Sequence, residues 1–173
     1  RLDIFNGDFI QRHAQALSLF RPVHVVYLVR DKKRLITNSV WIEENQTGNL
    51  TETIIYYSGK SYKIGFIDRL VSMHQYDRLY TEYFSKEKIR NISSVHVHVP
   101  YKAGLIALWL KKTYNLDFYV TEHWTGYDKT SDNNFYLRSP SFRFITKKIL
   151  SNAKCIAPVS KDLGAKLISL LQG

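Results

Sequence analysis

The sequence predicts an α/β domain of three layers around a mostly parallel sheet. Three observations predict it. Short apolar, β-branched runs alternate with stretches of helical periodicity along the whole chain. One of the runs, Val23–Val29, is apolar nearly throughout, as strands buried on both faces are. At 173 residues and 45% hydrophobic content, the chain is one domain in size and can bury a core.

The elements follow in order. Asp8 stands as an N-cap with Gln11 three residues on, a capping-box pattern that opens a helix. Phe9, His13, Ala16 and Phe20 recur at helical spacing, as do Ile10, Ala14 and Leu17, and Pro22 stops the helix. Val23–Val29 is a strand. Residues 39–43 and 50–57 form a hairpin across a Gln46-Thr47-Gly48-Asn49 turn. From Gly65 to Ile89, Phe66, Leu70, Met73, Tyr76, Tyr80 and Phe84 mark one long helix or two short ones. Ser94–Val99 is a strand ended by Pro100, followed by an apolar helix to about Tyr114. Asn115–Val120 is a strand leading into Thr121-Glu122-His123-Trp124, then a polar loop from Thr125 to Asn134. A basic helix from about Pro140 to Asn152, a strand at Cys155–Val159 and a helix from Lys161 to Leu171 complete the chain. Alternation of this kind implies βαβ units, and the expected fold is Rossmann-like. The first helix has no strand before it and Arg1 is not a natural start, so the first strand is expected upstream.

Composition narrows the chemistry. The formal charge is +10, which favours an anionic partner. From Arg138 onward seven basic side chains (Arg138, Arg143, Lys147, Lys148, Lys154, Lys161, Lys166) face one acid, Asp162. No apolar run approaches the ~20 residues of a membrane span; the longest is Ala103–Leu110. The lone Cys155 reads as a buried core thiol in a reducing compartment. The Asn-x-Ser/Thr matches at Asn45, Asn49 and Asn91 read as chance.

Three strand ends hold candidate site residues, since open α/β sheets bind ligands at the C-terminal ends of their strands. Asn6-Gly7-Asp8 enters the first helix, where glycine admits close approach and free amides favour an anion; a turn and cap is the plainer reading. His96 and His98 share a strand face. A metal pair lacks a third ligand at suitable spacing. His98, near the strand end, is the site candidate and His96 a satisfied core histidine. Thr121–Trp124 centres on His123. Ser160-Lys161 is a fourth contributor or a simple N-cap. There is no Gly-x-Gly-x-x-Gly, which argues against a nucleotide-dependent oxidoreductase. Gly59-Lys60-Ser61 lacks the earlier glycine of a phosphate loop, and no Gly-x-Ser-x-Gly elbow is present.

Four segments together resemble the family 4 retaining glycosyltransferases: Asn6–Leu17 (Asn-Gly-Asp-Phe-Ile-Gln-Arg-His-Ala-Gln-Ala-Leu), His98 with Gly104-Leu105-Ile106-Ala107, Thr121-Glu122-His123-Trp124, and Ala157-Pro158-Val159-Ser160-Lys161. The order and approximate spacing match over nearly the whole chain. The resemblance implies a bacterial sugar transferase of polysaccharide or glycoconjugate assembly with the GT-B fold, two Rossmann domains across a cleft. Residues 1–173 match the N-terminal, acceptor-side domain only. The resemblance places Gly7 and Asp8 at the donor diphosphate and His123 at the reacting sugar, as the catalytic histidine. It places Asn6, Phe9, Arg12, His98, Glu122, Trp124, Ser160 and Lys161 around the acceptor or sugar. It implies a nucleotide-sugar donor, a glycan or lipid-linked acceptor, no metal and no cofactor. It also implies a cytoplasmic protein, peripheral at the inner face of the membrane. The donor-binding C-terminal domain, with its glutamate pair, is not in this chain, so the chain alone is expected to fold without being active. The basic helix after Arg138 is expected to touch an anionic membrane that presents the acceptor. The competing expectation from charge and aromatics is a non-enzymatic nucleic-acid or polyanion-binding α/β domain; no nucleic-acid module supports it.

Overall fold

The computed structural model describes residues 8–31, 36–59, 65–85, 89 and 91–172. The chain is α/β and divides into two compact units, residues 1–79 and 80–173. Each is described by itself.

The first unit begins with α1 (Asp8–Ser18) and β1 (Val23–Arg30). The helix ends four residues before Pro22, in a turn where the amides of Phe20 and Arg21 both donate to the Leu17 carbonyl. Of its two apolar rows, Ile10, Ala14 and Leu17 face inward; Phe9, His13, Ala16 and Phe20 are exposed. The hairpin is β2 (Val40–Thr47) and β3 (Leu50–Tyr57), with Thr47 opposite Leu50. Its loop is therefore only Gly48-Asn49. Gly48 has φ +58°, the positive value that a two-residue hairpin loop asks of a glycine. The strand order is β1-β3-β2, with β1 parallel to β3 and β2 antiparallel to it.

The exposure along β1 corrects the reading of Val23–Val29 as buried on both faces. Among the described residues β1 pairs with β3 alone; within it only Leu28 is buried, and Tyr27 and His24 are exposed. Burial goes to the central strand, where Leu50, Thr53, Ile55, Tyr56 and Tyr57 are buried. Thr53 accepts this burial because its hydroxyl is satisfied on both sides, 2.8 Å from His24 Nε2 and donating to Glu44 at 2.9 Å. Arg30, at the end of β1, makes a two-pronged pair with Asp68 at 3.1 and 3.2 Å. Asp68 lies in α2 (Gly65–Tyr83), the helix within which the unit boundary falls.

The second unit is two successive β-α-β crossovers: β4 (Val95–His98), α3 (Ala103–Tyr114), β5 (Phe118–Glu122), α4 (Pro140–Asn152), β6 (Cys155–Pro158) and α5 (Lys161–Gln172). The strands are parallel in the order β4-β5-β6. The polar loop after β5 carries two short 3-10 turns, Thr125–Tyr127 and Phe135–Leu137. The Asn134 side chain orders that loop: it accepts from the amides of Tyr136 and Leu137 and donates to the carbonyls of Lys129 and Ser131. α4 starts from Ser139, whose hydroxyl accepts the Phe142 amide, with Pro140 at its first position.

The core of this unit gathers on β5. Phe118 and Val120 are fully buried and pack with Val97, Ala107, Ile149, Leu150, Leu163, Leu167 and Leu170. Gly104 lets α3 approach α4, since a Cβ there would lie 2.5 Å from Ile149 Cγ2. Two expectations fail on the outer strands of this order, β4 and β6, each of which pairs with β5 alone among the described residues. Cys155, in β6, is exposed, not a core thiol. His96 is exposed as well, although satisfied, its Nε2 lying 2.6 Å from Thr121 Oγ1. Among the described residues no helix is long and apolar enough to cross a membrane.

Gly104→Ala tests the packing. The added methyl meets a fully buried isoleucine, so unfolding free energy in urea is expected to fall by about 1–3 kcal/mol. An unchanged midpoint would show that α3 and α4 are not in tight contact there.

Candidate functional site

Because β4, β5 and β6 are parallel and adjacent, their C-terminal ends share one edge, and three sequence-predicted segments arrive there: His98, Thr121–Trp124 and Ser160-Lys161. His98 pairs in register with Thr121, so His123, two residues on, lies just past the end of β4. His98 Nδ1 lies 3.4 Å from His123 Nε2, and the rings stack at 5.7 Å with 20° between planes. His96 continues the stack, 4.5 Å from His98. Which nitrogen carries the proton in each ring depends on the tautomer. A proton on both facing nitrogens would aim two donors at each other, so the contact needs one of them bare.

What holds His123 and Trp124 in place is Glu122. The sequence reading put this carboxylate beside the sugar. The structure buries it completely, 0% exposed, on the inward side of β5. One oxygen, Oε1, accepts the backbone amides of His123 and Trp124, both at 2.9 Å. The other accepts the Tyr127 hydroxyl at 2.8 Å. The side chain thus supplies hydrogen bonds to a backbone that has left the sheet, where ladder partners end. Burial raises its pKa above the ordinary carboxyl value of 4.5, against the lowering effect of the Trp124 amide, the Tyr127 hydroxyl and the His123 amide. Burial, and the neighbouring Glu122 charge and hydrogen bond, push Tyr127 up as well, so it stays a donor. Glu122 is a positioning residue.

Trp124 is half-buried, edge-on to Tyr127 at 5.1 Å and to Phe142 at 5.9 Å. Gly126 makes room for it; a Cβ there would stand 2.2 Å from the indole. The Arg138 guanidinium lies over the same indole at 5.6 Å and over Phe142 at 5.5 Å. Arg138 and Tyr127 thus belong to this rim. The sequence reading counted Arg138 only as charge and passed over Tyr127, because neither stands in a periodic pattern with the strand.

The corner after β4 is strained. Val99 has φ +65° and Lys102 φ +70°, flanking Pro100-Tyr101. A β-branched residue with positive φ is an outlier costing of order 1–2 kcal/mol. It persists because the Val99 amide donates to the Thr121 carbonyl at 3.1 Å, tying the exit of β4 to β5 one residue beyond His98. Held strain of this kind gathers at binding sites.

The remaining predicted residues are placed as follows. Ser160 is the cap of α5, its hydroxyl accepting the Leu163 amide at 3.1 Å, and Lys161 is exposed beside it. Asn6, Gly7 and the side chain of Asp8 lie outside the described residues. Phe9 and Arg12 are exposed on α1, in the first unit. No family model matches this chain, and no curated protein matches it.

Two outcomes test the role of Glu122. Glu122→Ala orphans two amides and a hydroxyl and is expected to cost about 3 kcal/mol or more in chemical denaturation; Glu122→Gln keeps an acceptor at Oε1 and should cost much less. The folded-state pKa is raised, so the native state holds its proton more tightly than the unfolded chain. Wild-type stability therefore falls as pH rises from about 4.5 through the higher folded value, then levels. Glu122→Gln should remove that fall, and an unaltered pH profile would contradict the buried, desolvated carboxyl.

Proposed function

We propose that this chain is the acceptor-side domain of a retaining glycosyltransferase. In this reading the parallel strands β4–β6 and their helices form part of a three-layer Rossmann-like domain. The observation that carries the proposal is the contact of His98 with His123 at the C-terminal edge of parallel strands, held by a buried glutamate. Imidazoles give and take single hydrogen bonds at one ring position each, which suits sugar hydroxyls. Trp124 adds apolar surface beside them, and a site of few polar groups on an apolar wall is what a small polar ligand requires. The resemblance at Thr121–Trp124 and Ala157–Lys161 supports the same assignment and names the donor as a nucleotide sugar.

His123 then contacts the sugar at the reacting centre. Its backbone amide is anchored by Glu122, which fixes the point from which the ring departs, and orientation of a bound reactant contributes directly to rate. His98 fixes the His123 ring through the nitrogen that it faces. No metal or cofactor is required of these residues in the proposal. The donor diphosphate would be stabilised largely outside this chain, because departure of a diphosphate needs several donors or cations and this edge offers few.

The test compares a protein that carries this domain together with a donor-binding domain against its His123→Ala and His98→Ala variants. Nucleotide release is measured across uridine and guanosine diphosphate sugars, with thermal melts alongside. His123→Ala is expected to lose 100-fold or more of turnover with an unchanged melt, and His98→Ala a smaller part. Full activity of His123→Ala would overturn the reading.

A further inference from the structure

Beyond the histidine edge, the surface of α4 carries an arrangement that charge alone did not define. Between Asp132 and Asp162 the sequence contains no carboxylate side chain, yet six basic residues fall there. The structure sorts them. Lys154 pairs with Asp117, and Lys161 is exposed at the start of α5, away from α4 in sequence. Arg138, Arg143, Lys147 and Lys148 are in no ion pair among the described residues. Arg143 and Lys147 are one helical turn apart and line an open cleft of about 300 Å³, whose other walls are aromatic or apolar: Phe135, Tyr136, Pro140, Phe144 and Leu170. The Arg143 Nε is buried and has no hydrogen-bond partner among the described residues.

Two large apolar side chains stand out from this basic surface. Leu137 is 73% exposed and Phe144 67% exposed. Leu137 adjoins Arg138 at the entry to α4, and Phe144 lies one turn before Lys147 and Lys148 on the helix. A solvated basic helix has no use for an exposed phenylalanine among its lysines. Apolar side chains that enter the headgroup boundary, ringed by lysine and arginine that meet anionic lipid, are the pattern of an interfacial membrane surface.

We propose that the Phe135–Leu137 turn and α4 form a docking surface for an anionic phospholipid bilayer. Leu137 and Phe144 enter the interface, and Arg138, Arg143, Lys147 and Lys148 meet lipid phosphates. The proposal rests on the exposed side chains and the missing carboxylates and does not require the transferase reading. If both hold, α4 begins at the rim that Trp124 and Arg138 share, so a membrane-bound acceptor would reach the histidine edge from the surface on which the protein sits.

The experiment is vesicle co-sedimentation of the 173-residue chain, using phosphatidylcholine vesicles with and without 30% phosphatidylglycerol, at low and at 0.5 M salt. Binding is expected to require the anionic lipid and to weaken with salt. At about fivefold per charge near such a surface, Lys147→Gln with Lys148→Gln should weaken it about 25-fold. Leu137→Ser with Phe144→Ser, both at exposed positions, should abolish the fraction that survives 0.5 M salt while leaving the thermal melt unchanged. Equal binding to neutral vesicles, no binding to anionic ones, or variants that bind as wild type would overturn the proposal. So would tighter binding to single-stranded DNA than to the vesicles at the same salt, which would assign the surface to nucleic acid.

Discussion

A single desolvated carboxylate organises the second unit. Glu122 ends β5 with its side chain directed into the protein, where an ionisable group is costly unless hydrogen bonds surround it. It finds three, from the two amides that follow it and from Tyr127. The consequence reaches outward. The backbone at His123 and Trp124 cannot relax without breaking two of those three bonds, so their side chains leave the sheet from fixed backbone positions. Trp124 then supports Phe142 and Arg138, which brings the start of α4 against the same edge.

Parallel pairing does the rest. Three parallel strands in the order β4-β5-β6 deliver three chain exits to one edge without any further specification. The corner after β4 adds strain at Val99, tolerated because its amide is bound to Thr121. His98 is therefore fixed by the ladder on one side and by the corner on the other. The histidine contact at 3.4 Å is the result of two independently anchored backbones rather than of attraction between the rings.

Much of this was legible in the sequence, and the failures have physical reasons. Helical periodicity located the helices and the Gln46-Thr47-Gly48-Asn49 turn located the hairpin, although Gln46 and Thr47 prove to be paired within β2; the His96-Val97-His98 alternation gave a shared face. The apolar run Val23–Val29 misled because hydrophobicity alone does not say how far each face of a strand is covered; the neighbours decide, and among the described residues the buried positions fall on β3. Cys155 misled in the same way, at an exposed position of β6. Glu122 was legible as a member of the cluster but its burial was not, because alternation along β5 breaks down at its end. Tyr127, five residues on, was invisible as its partner: nothing in a polar loop marks which aromatic will fold back. The contribution of Arg138 depends on where the loop returns, which only the fold decides.

The central claim is that the edge formed by His98, His123 and Trp124 binds a sugar. Its most direct test is an NMR titration of histidine-labelled protein, following the imidazole signals of both residues as simple glycans and nucleotide sugars are added. Saturable, concerted shifts of His98 and His123, abolished by Glu122→Ala at a temperature where the variant remains folded, are the predicted result. Imidazole signals that stay unmoved by every sugar in a folded protein would contradict the account.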